Sequence, residues 1–278
     1  MGHLLPDLHE ARAWHCTTRL AVDAVLVRTP AERRAVIRAV LRHGRPAGLI
    51  AYCVVDTHLH AVFVGDRVRI GEAMRRLEIA CHQLLKLRRR FEGARIRPVR
   101  DQAHLRSTVD YVLRQLDRHA IRTDALGESS SVHDLLGARV PGLFLVDRLL
   151  EELPRGNVGD PWRLVGASGA LAEVWDDPLE AHELHTLPEA TCRAFALRGL
   201  RGRSRERTRA RAAMVQAASP RLGATAIARE LGLSRGAVLH LRRVDVPDSW
   251  ILAVRRQARL GLRAGRSLVT APVRIAGQ

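Results

Sequence analysis

The stretch that decides the fold is residues 49–64, LIAYCVVDTHLHAVFV. It contains two apolar runs rich in β-branched residues, at 49–55 and 58–64, and an Asp-Thr pair separates them. A Gly-Asp pair follows the second run and supplies a turn signal. Runs of this length, bounded by turn-forming residues, are typical of two paired strands. The stretch therefore predicts a β-hairpin.

The segments before and after this hairpin alternate between strand and helix patterns. Thr29-Pro30 and Gly44 are start and stop signals for the first helix. The predicted elements are extended segments at 14–20 and 24–27, a helix at 31–44, the hairpin, a helix at 70–91, a strand at 93–99 and a helix at 102–118. This order, β-α-β-β-α-β and then α, predicts an α+β domain that is ferredoxin-like (RRM-like), with one extra helix against its sheet.

The chain of 278 residues is long enough for one sizeable core and a second, smaller domain. Residues 127–131, GESSS, indicate a flexible joint, and a second helical pattern at 132–153 is broken at Pro141-Gly142. The predicted organisation is the α+β domain at 1–137, a helical connector at 138–200, an all-α domain at 201–268 and a disordered tail at 269–278.

The chain is strongly basic, with 46 Lys and Arg against 29 Asp and Glu and a net charge of +17. Such a charge favours polyanionic partners through phosphate contacts and counterion release. Most of the excess follows residue 200, where 17 arginines accompany four carboxylates and give a net charge of +13. Nucleic acid is therefore the first partner class, and the C-terminal third is its expected contact region.

The cysteines and the N-terminus indicate the compartment. Four widely spaced cysteines without a CxxC pair indicate neither a disulfide framework nor a zinc knuckle. The first 15 residues lack a basic segment followed by an apolar core, and no apolar run approaches the length of a membrane span. The sequence predicts a cytoplasmic protein with no membrane partner.

Candidate chemistry begins with His58-Leu59-His60 in the second strand of the hairpin. Residues i and i+2 of a strand point to the same face, so the two imidazoles can converge on one metal ion. A partly exposed polar face explains the same spacing.

Tyr111 and Gln115 are four residues apart in the third predicted helix, so they share a face about one turn apart. Taken alone, this pair is also consistent with a packed ring and a solvated amide. Together with the histidines, it supplies two imidazoles, an amide oxygen and a phenol. That set of groups can bind a divalent cation and attack phosphorus.

The order of four segments resembles the HUH single-tyrosine transposases, especially the REP-associated tyrosine transposases and their insertion-sequence relatives. The segments are WHCTTR at 14–19, AYCVVDTHLHAVFV at 51–64, the basic helix at 70–91 and YVLRQ at 111–115. The resemblance covers about residues 10–137. Gln115 matches the insertion-sequence branch, whereas Asp56-Thr57 stands where the REP-associated pattern usually has asparagine.

The resemblance implies that His58, His60 and Gln115 hold Mg²⁺ or Mn²⁺ and that Tyr111 is the nucleophile. In that family the tyrosine forms a 5′-phosphotyrosine link with single-stranded DNA at a hairpin repeat and frees a 3′-OH. Rejoining then needs no external energy source. The sequence leaves open whether the protein acts as a monomer or a homodimer.

Several other polar residues near these motifs are candidates for supporting roles or are ordinary polar positions. Asp56 is a candidate to orient a histidine ligand. The histidines without motif support, interpreted as ordinary polar positions, are His15, His82, His104 and His119. The candidates to contact the DNA backbone near the site are Arg75, Arg76, Arg88, Arg89 and Arg90. A solvated helix face explains these arginines equally well.

Residues 224–243, ATAIARELGLSRGAVLHLRR, have the pattern of a helix-turn-helix. Gly232 makes the turn, and Ser234 is a natural N-cap for the second helix. The candidate DNA-binding residues are Ser234, Arg235, Gly236, His240, Arg242 and Arg243. A generic helical hairpin is the alternative, but the basic surroundings favour binding to duplex DNA.

Two functions follow from these features. The first is a transposase that cleaves and rejoins single-stranded or hairpin DNA, with the C-terminal domain adding duplex contacts. The second is a domesticated, catalytically silent regulator that binds DNA through the helix-turn-helix. All four candidate catalytic residues are present, which favours the enzyme.

Overall fold

The computed structural model describes residues 11–21, 24–115, 127–153 and 175–270, with side chains described as far as residue 262. The chain divides into two compact units. Of the described residues, 11–153 and 196–199 belong to the first unit, and 175–195 and 200–270 belong to the second. The α+β class is confirmed, whereas the finer domain limits stay predictions.

A four-stranded antiparallel sheet forms the centre of the first unit. Its strands are β1 (Ala13–Arg19), β2 (Leu49–Val54), β3 (His58–Val64) and β4 (Arg95–Val99), in the spatial order β2-β3-β1-β4. Strand β1 pairs with β3 on one side and with β4 on the other. The hairpin of residues 49–64 is present as predicted.

The first three helices of the first unit begin at capping side chains that the sequence supplies. Thr29 and Glu32 form a capping box, Asp66 caps the second helix and Asp101 caps the third. The helices are α1 (Pro30–Gly44), α2 (Arg67–Leu85), α3 (Gln102–Leu113), α4 (Val132–Leu135) and α5 (Phe144–Glu152). A 3₁₀ turn at Val140–Gly142 separates the last two, so the predicted break at Pro141-Gly142 is confirmed.

Side-chain alternation gives the sheet two different faces. Trp14 and Cys16 of β1 and Leu59, Ala61 and Phe63 of β3 are buried in the hydrophobic core with residues of α1 and α2. The alternate positions of these strands lie on the opposite side, where α3 packs against β2, β3 and β4. We call the two sides the core face and the α3 face.

The flexible joint predicted at 127–131 is wrong, because this segment is packed against the sheet. Residues 128–131 are buried, and Ser130 forms a β-bridge with Cys53 of β2. Val54 N donates to Ser129 O at 2.9 Å, and Ser131 N donates to Tyr52 O at 2.9 Å. The Ser131 hydroxyl also accepts from Tyr52 N at 3.0 Å, and Glu128 pairs with Arg34 at 2.7 Å. A Gly/Ser-rich sequence does not signal this position, since backbone groups make many of the contacts.

Three other element limits differ from the prediction. Helix α2 ends at Leu85, where Lys86 takes a left-handed conformation with φ 50°. Arg88, Arg89 and Arg90 therefore follow the helix instead of lying within it. Residues 24–27 are irregular and lie outside the sheet. Helix α3 ends at Leu113, and residues 116–118 of the predicted helix lie outside the described residues.

The described part of the second unit is helical. Its helices are a 3₁₀ turn at Ala181–Thr186, α6 (Leu187–Ala194), α7 (Arg205–Ala217), α8 (Ala224–Leu231), α9 (Arg235–Arg243) and α10 (Asp248–Thr270). Helix α10 packs against α6 and α7, and α9 packs against α7 and α8. Gly232 between α8 and α9 has φ 63°, and Ser234 Oγ caps α9 by accepting from Ala237 N at 3.1 Å.

The tail predicted at 269–278 begins inside α10, and residues 271–278 lie outside the described residues. Within the described ranges, no helix has both the length and the apolar character needed to cross a membrane.

Candidate active site

His58 and His60 of β3 lie next to each other on the α3 face. Their ring centroids are 4.7 Å apart, with an interplanar angle of 77°. His60 is buried, whereas His58, at the first position of the strand, is half-buried. The strand thus brings two imidazoles together, as the spacing predicts.

Tyr111 lies on the side of α3 that faces the sheet. Its ring centroid is 5.7 Å from that of His60, and the two rings meet edge to face at 86°. Tyr111 is half-buried, and its neighbour Val112 belongs to the buried side of the helix. Both rings belong to one chain, so their meeting needs no second copy.

Gln115 follows the end of α3 after a one-residue turn at Arg114, and it is itself in helical conformation. Its Nε2 donates to the carbonyl oxygen of Tyr111 at 3.1 Å, and its side chain is buried. This bond ties the amide to the turn that carries the tyrosine. Oε1 is the atom by which the amide would ligate a cation.

The structure adds His15 of β1, which the sequence alone predicts to be an ordinary polar position. His15 Nε2 is 3.1 Å from His60 Nδ1, and the two rings stack at 5.3 Å and 16°. Tyr111 meets His15 edge to face at 5.8 Å. Thr17 pairs with His60 across β1 and β3, so His15 is the diagonal neighbour of His60. Alternation within β1 gives the face of His15, but its neighbour depends on strand pairing.

His15 is an uncharged ring at neutral pH. Burial lowers the pKa of His15 to about 4, and the nearby Arg97 guanidinium and His104 act in the same direction. A neutral imidazole has one donor nitrogen and one acceptor nitrogen. His15 can therefore accept a hydrogen bond from His60 without adding positive charge to the cluster.

The two histidines carry nitrogen donors of the kind that a divalent cation takes. Each histidine has Nδ1 in a hydrogen bond, His58 with Thr57 Oγ1 at 2.9 Å and His60 with His15 at 3.1 Å. Ligation would therefore use Nε2 of both rings, the arrangement that metal-binding histidines commonly have. Among the described residues, no three His, Cys, Asp or Glu side chains group to hold a metal ion. A site here therefore needs the Gln115 amide, whose carbonyl oxygen suits Mg²⁺ and Mn²⁺.

Asp56, the candidate to orient a histidine, is directed elsewhere. Its carboxylate pairs with Arg33 at 3.4 Å, and its carbonyl oxygen accepts from Leu26 N and Val27 N. The group that holds the first histidine of the pair is the Thr57 hydroxyl.

The structure does not bring Arg75 and Arg76 to the histidines. Both are exposed on α2, which packs on the core face. The three arginines after α2 are also exposed, in the segment that leads to β4.

Strand β4 supplies two arginines on the site's own face, which the sequence analysis missed. Arg97 pairs in register with His15, and Arg95 pairs with Thr17. Directly opposite residues point to the same face of a sheet, so both arginines lie on the α3 face, and both are exposed. Arg95 approaches Glu92 at 3.8 Å, whereas Arg97 forms no ion pair with a described residue.

In the second unit, α9 presents Arg235, His240 and Arg243 as exposed residues. Leu239 is also exposed, one turn from each of the two arginines. Arg242 differs from them, because its guanidinium donates to the Leu222 carbonyl oxygen at 2.7 Å. Ser234 serves as the N-cap.

Comparison with known proteins yields one similarity. No protein-family model and no curated protein matches this chain. Among solved structures, the chain is similar to one described as a REP-associated tyrosine transposase bound to a REP hairpin, at 15% sequence identity and a TM-score of 0.37. The similarity covers 48% of this chain and 84% of that chain. That protein is of the kind which the sequence motifs resemble, but a similarity of this size carries no argument about activity.

Proposed function

We propose that the chain is a tyrosine transposase whose first unit cleaves and rejoins single-stranded DNA at hairpin repeats. The observation that carries the proposal is the meeting of Tyr111 with the His58 and His60 pair on one face of the sheet. In the proposed site, this phenol is the oxygen nucleophile and the two imidazoles are cation ligands.

The topology of the sheet supports this proposal. We assign the first unit to the ferredoxin-like arrangement, because its β-α-β-β-α-β chain order folds into strands ordered β2-β3-β1-β4. This order places β3 and β1 in the middle of the sheet. The histidines of both strands are therefore held on rigid neighbours, and α3 lies over them.

In the proposed reaction, Tyr111 Oη attacks the phosphorus of a DNA phosphodiester and loses its proton. The bond from phosphorus to the 3′-oxygen breaks, and that oxygen leaves as a 3′-OH, while a 5′-phosphotyrosine forms. Rejoining reverses the exchange, since a 3′-OH attacks the phosphotyrosine and the phenol leaves. One phosphodiester replaces another, so the cycle needs no external energy source.

The ligands and the nucleophile are coupled through the backbone. Mg²⁺ or Mn²⁺ held by His58, His60 and Gln115 would supply polarisation of the phosphate and neutralisation of its developing charge. Gln115 is bonded to the carbonyl oxygen of Tyr111. The position of the amide therefore fixes the turn on which the phenol is carried.

We propose that Arg95 and Arg97 hold the backbone of the DNA strand beside this cluster. They are exposed on the α3 face, and Arg97 lies directly across from His15. An arginine fork suits bidentate contact with phosphate. A strand bound along β4 would thus lie one strand from His15 on β1 and two strands from His58 and His60 on β3.

For the second unit we propose a helix-turn-helix that contacts duplex DNA. Helices α8 and α9, joined at Gly232, supply the motif, and α9 presents Arg235, His240 and Arg243 outward. The region after residue 200 carries a net charge of +13, which supports binding to phosphates.

The experiment that tests the proposal compares variants of the two tyrosines of the chain. A labelled single-stranded hairpin with Mn²⁺ is expected to form a covalent adduct with wild type and none with Tyr111→Phe. Because the ring is kept, Tyr111→Phe is expected to lower the free energy of unfolding by about 1 kcal/mol or less. An adduct at Tyr111→Phe, or cleavage without a covalent species, would replace the tyrosine mechanism by a plain metal nuclease.

Tyr52→Phe is the matched control, with the opposite expected pattern. Tyr52 Oη donates to Asp134 Oδ2 at 2.7 Å and accepts from Arg139, and all three side chains are buried. Loss of this hydroxyl removes a partner from a buried ion pair, so we expect about 2–3 kcal/mol of destabilisation. The adduct should persist, because Tyr52 lies outside the cluster. A loss of the adduct in this variant while it is folded would assign the nucleophile to Tyr52.

A further inference from the structure

His15 contacts both the candidate ligand His60 and the candidate nucleophile Tyr111, yet the proposed reaction gives it no role. Its bond with His60 joins two ring nitrogens at 3.1 Å. A bond of this kind needs one donor and one acceptor, so the proton lies on one of the two nitrogens. Which ring donates decides the state of the other nitrogen of His60.

The two arrangements differ in their effect on metal binding. If His60 Nδ1–H donates to His15 Nε2, then Nε2 of a neutral His60 carries a lone pair and can ligate a cation. If His15 Nε2–H donates instead, a neutral His60 carries its proton on Nε2, and ligation there is blocked.

We infer that His15 is a positioning residue that accepts a hydrogen bond from His60 Nδ1 and so keeps Nε2 of His60 ready for a divalent cation. The inference rests on the proposed function, because it assigns a purpose to His60. Partners of this kind fix the tautomer and the orientation of a ligating ring.

The surroundings of the two rings hold His15 in a fixed position relative to His60. Strands β1 and β3 are paired along their whole length, so the backbones of both histidines are fixed relative to each other. The rings also stack at 5.3 Å with only 16° between their planes. By contrast, the partner of His58 is the exposed hydroxyl of Thr57, which rotates and can donate or accept.

Two substitutions separate the acceptor from the ring. His15→Phe keeps an aromatic ring for stacking but removes the nitrogen acceptor. His15→Gln removes the ring and supplies an amide oxygen close to the position of Nε2. His82→Phe, at an exposed position of α2, is the matched control for the loss of an imidazole.

The first readout is the tautomer of His60 in the metal-free chain, measured by ¹⁵N NMR of the imidazoles. We expect wild type, His15→Gln and His82→Phe to carry the proton on Nδ1, and His15→Phe to lose this preference. A wild-type His60 protonated on Nε2 would overturn the inference.

The second readout is Mn²⁺ affinity by electron paramagnetic resonance titration. We expect His15→Phe to bind Mn²⁺ about 10–100-fold more weakly, and His15→Gln to recover most of the loss. Equal affinity of wild type and His15→Phe would overturn the inference, as would a His15→Gln variant no better than His15→Phe. If wild type itself binds no Mn²⁺, the proposed metal site fails, and the His60 tautomer in wild type and His15→Phe still decides whether His15 sets it.

Discussion

Gly48, just before β2, has a φ of 84°, in the left-handed region that glycine adopts without strain. A Cβ added at this position would lie 1.9 Å from the carbonyl oxygen of Val64, at the end of β3. Gly48 O also accepts from Val64 N at 2.8 Å. This hydrogen bond holds Val64 in place, so its carbonyl oxygen cannot easily move away from an added Cβ. Gly48 therefore closes the open end of the hairpin that carries both histidines.

Gly48→Ala is expected to destabilise the chain by about 3 kcal/mol, from left-handed strain plus overpacking. Gly93→Ala is the matched control, because Gly93 has a φ of 86° with nothing within 4 Å of an added Cβ. Strain alone predicts a loss of about 1–2 kcal/mol there. Urea denaturation of both variants measures the loss in the free energy of unfolding. Equal losses in the two variants would show that the contact of the added Cβ with Val64 does not destabilise the chain.

His58→Ala and His60→Ala are each expected to reduce adduct formation at least about 100-fold, because each removes a proposed cation ligand. Mn²⁺ affinity should fall in parallel. His82→Ala, on the exposed side of α2, should change neither quantity. The metal-site assignment is wrong if either variant at β3 forms the adduct with Mg²⁺ at the wild-type rate.

At the scale of elements, β4 and α2 are two alternative contact surfaces for single-stranded DNA. The sequence offers Arg75 and Arg76 of α2 as candidates, but that helix packs on the core face, whereas β4 pairs with β1, the strand of His15. We expect Arg97→Gln to weaken binding of a single strand and to reduce its salt slope by about 0.7. Arg75→Gln, equally exposed, should leave both quantities unchanged. The opposite result would place the strand on α2.

Local features of these elements could be predicted from the sequence, whereas the pairing of the strands could not. The period of two in β3 was sufficient to predict that His58 and His60 share a face, because alternation is local. The roles of His15 and Arg97 depend on which strands β1 pairs with. Residues 129–131 bind the edge of β2 through backbone groups and the Ser131 hydroxyl. Neither pairing leaves a pattern in a single sequence, so both needed the structure.

At the scale of the whole molecule, the two units are expected to bind different forms of DNA. The double variant Arg235→Gln/Arg243→Gln, made in the full chain, should reduce the salt slope of duplex binding by about 1.8, since each arginine neutralises one phosphate. Adduct formation on a short single strand should persist, because the proposed nucleophile is in the first unit. An unchanged duplex slope would move the duplex contact away from α9.

Alternate residues of β3 have different roles, in the core or in the candidate site. This separation affects which mutations the protein can tolerate during evolution. Leu59, Ala61 and Phe63 maintain the core, while His58 and His60 on the other side carry no part of it. A substitution at either histidine is therefore expected to abolish the proposed reaction and leave a folded chain for descendants to inherit. An inserted or deleted residue within the strand exchanges the two sides and destroys both at once. Point mutation is thus the route by which a protein built in this way would lose the proposed reaction and keep its fold.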